Sequence, residues 1–139
     1  MSTEENKAMV RRVWEDVMNK GNLAVADEIM AASYVFHFSG QDYKGPESFK
    51  QVVTMYRTAF PDLHMTIEDM FTEGDRVASR VTFTGTHKGD LMGIAATGKQ
   101  VAIAGIVISR FEGGKQVEVW ASEDLLGMMQ QLGVVPPMG

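Results

Sequence analysis

No cysteine occurs in this chain of 139 residues. That excludes disulfides, thiol nucleophiles and thiolate metal sites. No segment approaches the ~18 consecutive apolar residues a spanning helix requires, so no membrane partner is expected. The opening MSTEENKAMVRR is polar and acidic, with no apolar run behind it. No signal peptide is expected there, which makes the cytoplasm the expected location. Basic residues are scarce and scattered: 13 Lys and Arg against 18 Asp and Glu, for a net charge of −5. Nucleic acid is excluded as an expected partner, because its electrostatic footprint is a clustered basic surface.

What is present describes a folded protein. Hydrophobic residues make up 45% and charged residues 22%, an ordinary globular balance. The length suits one domain over residues 1–139 with a core of its own.

The order of elements can be read from hydrophobic period. Val10, Val13, Trp14, Val17 and Met18 form an apolar stripe at helical spacing. Ser2 with Glu5 supplies a capping box and Gly21 a stop. Asn22 is placed to cap a second helix that buries Leu23, Ala26, Ile29 and Met30. Tyr34 to Phe38 reads as a strand. Gly45-Pro46 opens a third helix with Phe49, Val52, Val53, Tyr56 and Phe60 on one side, ended by Pro61.

Strands follow. Leu63 to Phe71 is one, and Glu73-Gly74-Asp75 is a turn. Arg76 to His87 is the next, with Val77, Val81, Phe83 and His87 on one face. Val101 to Phe111 is apolar on both faces, which predicts that both are covered. Glu112-Gly113-Gly114-Lys115 is a tight hairpin. The last strand, from Lys115, runs into a closing helix, and the tail Val134-Val135-Pro136-Pro137 is not helical. Helices followed by consecutive antiparallel strands imply an α+β fold, a curved antiparallel sheet wrapped around the N-terminal helices. Such a sheet encloses one apolar pocket, and an apolar outer face favours a homodimer.

Strand alternation places Glu118, Trp120, Ser122 and Asp124 on one face and Val117, Val119 and Ala121 on the other. An acid beside a tryptophan at a strand end provides a pocket with one polar group, which makes Asp124 the leading candidate for a general base. Ser122-Glu123-Asp124 also precedes Leu125 as acids of a helix first turn do, so Asp124 reads equally as a cap. His87 either donates a hydrogen bond into the pocket or ends a strand. His37 lines the pocket mouth or is an edge histidine, and Glu118 is a second pocket acid or part of an interface ion pair. Trp120, Tyr34 and Phe83 are pocket walls or core. Met92, with Met70, Met128 and Met129, suits an adaptable apolar lining or plain packing. His64 and Arg80 read as surface. The histidines have neither i, i+4 spacing nor an acid cluster beside them, so no metal site is expected. Gly89, Gly93 and Gly98 are followed by no Lys-Ser/Thr and no helix, so they read as a flexible rim over the pocket rather than a phosphate loop.

Three stretches resemble one family: NKAMVRRVWEDVMNKGNLAVADEIM, the run GPESFKQVV to TGKQV, and GGKQVEVWASEDLLGMMQQLG. The most specific pieces are AFPDL, the GTHxG run from Gly85 to Gly89, GIAATGK, and W-x-x-x-D-x-x-G from Trp120 to Gly127. Together they are similar to the SnoaL-like polyketide cyclase or ester cyclase family, of the nuclear transport factor 2-like superfamily of cone-shaped α+β folds. The resemblance implies an intramolecular aldol ring closure on a small hydrophobic ketone or ester. It implies no metal and no cofactor, an aspartate acid/base matching Asp124, and a pocket histidine matching His87. One segment departs from the pattern. The antibiotic cyclases carry a glutamine and a histidine on the strand matching Gly105 to Phe111, where this chain has Gly105-Ile106-Val107-Ile108. The alternatives from other classes are a non-catalytic binder of small hydrophobic ligands with the same pocket, and a protein-interaction module using the open sheet face.

Overall fold

The computed structural model describes residues 2–136. Helix α1 (Thr3–Arg12) starts on the expected capping box: the Ser2 hydroxyl accepts from the Glu5 N–H, and the Glu5 carboxylate accepts from the Ser2 N–H. The helix continues into a π-helical segment, Val13–Met18, closed by a 2.9 Å bond from the Asn19 N–H to the Trp14 carbonyl. The wider turn still buries Val13, Trp14, Val17 and Met18. Its end is held from outside, because the Arg57 guanidinium donates to the carbonyls of Met18 (2.7 Å) and Asn19 (2.9 Å). These are the free carbonyls that any helix end exposes.

Helix α2 (Ala24–Ile29) buries Val25, Ala26 and Ile29 and has no side-chain cap, so Asn22 does not play the part expected of it. Strand β1 (Met30–Phe38) is longer than the sequence indicated. A short strand, β2 (Gln41–Lys44), follows it where no strand was expected. Helix α3 (Gly45–Ala59) carries Pro46 in its first turn and buries Phe49, Val52, Val53, Tyr56 and Ala59. Strands β3 (His64–Glu73), β4 (Arg76–Thr86), β5 (Gln100–Glu112) and β6 (Lys115–Glu123) then follow in hairpin order, and helix α4 (Leu125–Leu132) closes the chain. Of the non-helical tail, Val134 to Pro136 is described and is not helical; Pro137 lies outside the described residues.

The six strands form one sheet in the order β2-β1-β6-β5-β4-β3. It is mixed rather than wholly antiparallel, because β1 lies parallel to β6, pairing Val35 with Glu118 and His37 with Trp120. The physical reason is topological. The chain leaves β1 through β2 and α3 and returns to the other side of β1 only with its last strand. The inner face of the sheet and the stripes of the helices share one apolar core, running from Val10 and Trp14 through Phe49 and Tyr56 to Phe83 and Val119.

Strand β5 corrects one expectation. Val101, Ile103, Val107 and Phe111 are buried, but Ala102 and Ala104 are exposed and Ile106 is 49% exposed. Its outer face is therefore bare in the single chain.

Candidate functional site

Inside the cone lies a cavity lined by Trp14, Met18, Phe36, Phe38, Phe49, Val52, Tyr56, Phe83, Ala121 and Glu123. Its atom-free space is ≈ 390 Å³, of which ≈ 30 Å³ can be reached by the centre of a water molecule. The walls come from five elements. The π-helical segment gives Trp14 and Met18, β1 gives Phe36 and Phe38, α3 gives Phe49, Val52 and Tyr56, β4 gives Phe83, and β6 gives Ala121 and Glu123. The aromatic rings pack edge to face: Phe36 on Phe49 at 5.5 Å, Phe38 on Tyr56 at 6.3 Å, and Tyr56 on Phe83 at 6.0 Å. Such contacts hold ring orientations well.

Glu123 is the acid of this cavity. The apolar face of β6, Val119 and Ala121, turns inward, and Glu123 is the next residue on that face. It pairs with Gly105 of β5. A Cβ on Gly105 would lie 2.8 Å from the Glu123 Cγ, so the glycine leaves the space that the acid occupies. Among the described residues the Glu123 carboxyl has no side-chain hydrogen bond or ion pair; the residue is half-buried at the end of the strand, and desolvation on its cavity side pushes its pKa up to about 7. Burial without a compensating charge disfavours the ionised form. Tyr56 faces the same space, and its hydroxyl is raised well above the usual tyrosine range, first by burial and then by the Glu123 charge. The cavity thus contains a carboxyl able to exchange a proton near neutrality and a phenol that stays protonated.

Asp124 sits elsewhere. It is exposed, has left the strand, and caps α4, its carboxylate accepting from the Gly127 N–H at 2.8 Å. The expectation that Glu118, Trp120 and Asp124 face the pocket is reversed by the same alternation that brings Glu123 inside. Trp120 lies on the outer face of the sheet, with the His37 ring stacked on it at 5.5 Å and the Arg76 guanidinium 5.3 Å from its ring centre. His37 is pinned there between Glu118 (2.7 Å) and Asp42 (2.6 Å), and Glu118 also accepts from Arg110. The two carboxylates, Glu118 foremost, hold the imidazole above its ordinary pKa, and His37 in turn holds Glu118 below the usual carboxylate range.

His87 is fully buried, but not in the cavity. Glu123 is level with Gly105 and Val81; His87 lies six residues beyond Val81, roughly 20 Å along an extended strand. Its Nδ1 accepts from the Thr97 N–H (3.2 Å) and lies 3.0 Å from the Thr97 hydroxyl, which leaves the ring proton on Nε2. Bonds from the His87 N–H to the Lys99 carbonyl and from the Gly98 N–H to the His87 carbonyl fasten the loop between β4 and β5. That loop supplies none of the cavity lining, so the expected rim is a strapped surface loop, and Met92 on it is 57% exposed. Of the residues singled out from the sequence, Phe83 alone lines this cavity. Tyr34 is buried behind it, with its ring edge-on to Phe49 at 6.0 Å. Met128 is core, and the methionine of the lining is Met18.

A curved sheet closed by helices over an apolar cavity with one acid defines a class of α+β cone proteins. Comparison with known proteins narrows the class. The model of the SnoaL-like polyketide cyclase family matches residues 8–132, and the chain belongs to that family. Among curated proteins it is 31% identical over 93 residues to aklanonic acid methyl ester cyclase DnrD of Streptomyces peucetius, a match covering 66% of this chain and 64% of that protein. DauD of Streptomyces sp. strain C5, also an aklanonic acid methyl ester cyclase, is 31% identical over 93 residues, covering 66% of this chain and 58% of its own length. The match thus spans less than two thirds of the length of these relatives. Among solved structures, AclR of Streptomyces galilaeus superposes with a TM-score of 0.87 at 28% identity, covering 99% of this chain and 87% of that one. IdmH of Streptomyces antibioticus superposes with a TM-score of 0.80 at 28% identity, covering 91% and 97%.

Proposed function

We propose that this member of the family is a cofactor-independent cyclase in which Glu123, rather than Asp124, carries the proton. The substrate class is a hydrophobic ketone or ester bearing an acidic C–H next to a carbonyl. The observation that carries this reading is an unpaired carboxyl with a pKa of about 7 inside an aromatic cavity. A base works best when its pKa lies near the working pH. Ionised Glu123 removes the proton beside the carbonyl. The Tyr56 O–H donates to the enolate oxygen that develops. The enolate carbon then adds to a second carbonyl of the same molecule, and the carboxylic acid of Glu123 returns the proton to the new alkoxide. No atom is gained or lost, so the step is an isomerisation and one group can serve as both base and acid.

Asp124 supports the site by fixing the start of α4 immediately after Glu123. His87 and Thr97 fasten the loop between β4 and β5, away from the cavity. The narrow cavity implies that a substrate enters by displacing aromatic side chains.

The test uses two substrates: cyclohexanone in deuterated water, read by proton NMR for exchange beside the carbonyl, and aklanonic acid methyl ester, read for ring closure. With wild-type turnover of either established, Glu123→Gln is expected to lose at least 100-fold, as removal of a general base does. Asp124→Asn is expected to retain most activity. Loss confined to Asp124→Asn would overturn the assignment. The rival reading, binding without chemistry, is favoured by the lack of polar side chains along Gly105-Ile106-Val107-Ile108 of β5; apolar esters bound with no turnover by the wild type would establish it.

A further inference from the structure

Behind the cavity, on the far side of Trp14 and Phe49, is a second and smaller void lined by Val10, Val13, Trp14, Tyr34, Phe49, Ser109, Gln116 and Val119. Its chemistry differs from that of the first. Gln116 and Ser109 are 2% and 1% exposed, and Trp14 is 5% exposed. The Gln116 Oε1 and the Trp14 Nε1 are buried and have no hydrogen-bond partner among the described residues. Gln116 is turned inward by an irregularity in the β5–β6 register, where the pairing shifts between Arg110 and Phe111 and Phe111 meets Gln116. A bulge re-aims a side chain in this way. A buried donor and a buried acceptor left bare are each unfavourable, because both give up hydrogen bonds to water on folding.

We propose that this void is an internal hydration site, occupied by a water molecule that accepts from the Trp14 indole N–H and donates to the Gln116 carbonyl oxygen, with the Ser109 hydroxyl as third partner. Size and partners agree. The space open to the centre of a water molecule is ≈ 10 Å³, enough for a water to sit there, and a buried water takes two to four polar partners. An apolar ligand does not fit this description, because it would leave both polar atoms bare. The water has a structural consequence for the cavity in front. It fixes the indole of Trp14, which forms the wall between the two spaces, and so sets how deep the ligand cavity can be.

The experiment is oxygen-17 magnetic relaxation dispersion on wild-type protein and on Gln116→Met and Trp14→Phe, with a water-selective NOE to the Trp14 indole proton in the wild type. Gln116→Met keeps the side-chain length and removes the polar atoms, and Trp14→Phe removes the donor together with part of the ring that forms the wall. The expected result is an indole–water NOE in the wild type, and a fall in dispersion amplitude corresponding to about one long-lived water in each folded variant. Equal amplitudes in wild type and variants, or an indole proton without contact to water, would overturn the proposal. The wild-type NOE decides the matter even if a variant does not fold.

Discussion

Glu123 and Gly105 form a matched pair, and each predicts a measurable effect. Glu123 binds its proton more tightly in the folded protein than in the unfolded chain, since its pKa rises from 4.5 to about 7. The stabilising effect of that proton is therefore complete below about pH 4.5 and is lost as the pH rises to 7, where ionisation in the cavity carries a penalty. At pH 8 the penalty amounts to no more than about 3 kcal/mol, and Glu123→Gln relieves it. Urea unfolding of wild type and variant from pH 4 to pH 8 should show the variant gaining relative stability as the pH rises. Gly105→Ala works the other way. The new Cβ collides with the Glu123 side chain at 2.8 Å, and overpacking of this kind costs about 1–3 kcal/mol. A lower urea midpoint together with impaired turnover is expected, and Gly105→Ala in the Glu123→Ala background should be milder because the colliding atoms are gone.

Helix α4 explains a motif that looked catalytic from its spacing. In W-x-x-x-D-x-x-G, Asp124 caps the helix by accepting from Gly127, and a Cβ on residue 127 would overlap the Asp124 carboxylate. The aspartate and the glycine are thus explained by a helix start alone. Asp124→Ala should lower stability by about 1 kcal/mol, while Asp124→Asn, which keeps an accepting oxygen, should be close to neutral; thermal melts distinguish the two. The same helix completes the sheet. Beyond the last β6 pairing, at Gly105, the Gln131 side chain bonds to both the N–H (2.7 Å) and the carbonyl (3.0 Å) of Ala102, doing what a neighbouring strand would do. A cap and a strand-end acid have one sequence signature, which is why Asp124 could be read both ways. The reading that separates them was available in part. Val117, Val119 and Ala121 are the apolar face of β6, so the core side of that strand ends on Glu123.

At the scale of the whole molecule the outer face of the sheet is a surface to account for. The outer face of β4, β5 and β6 presents Ile106 (49% exposed) beside half-buried Ile108 and Trp120, flanked by the His37–Glu118–Arg110 network. The proposed homodimer would bury this patch, since apolar strands bare on one side are ordinarily covered. Sedimentation velocity is the check: wild type is expected to sediment as a dimer and Ile106→Glu as a monomer with unchanged far-UV circular dichroism. A monomeric wild type would remove the dimer from the account. Among the described residues no helix is long and apolar enough to cross a membrane.

Local signals were sufficient, namely hydrophobic period for α1 and α3, glycine turns for the β3–β4 and β5–β6 hairpins and the Ser2–Glu5 spacing for the capping box, because each depends on neighbours a few residues apart. The family resemblance was likewise carried by local runs such as AFPDL and GTHKG, which the family match bears out. The sites of Glu123, His37 and Gln116 were not legible in that way. Whether Glu118 or Glu123 looks inward depends on which face of β6 meets the helices. Whether His37 lines a pocket depends on β2 and β6 flanking β1, which places Asp42 and Glu118 on either side of it. These are contacts between residues as much as 81 positions apart. Only the closing of the sheet around α1 and α3 brings one carboxyl out of water and leaves the other at a helix end, and that difference in solvation gives each its chemistry.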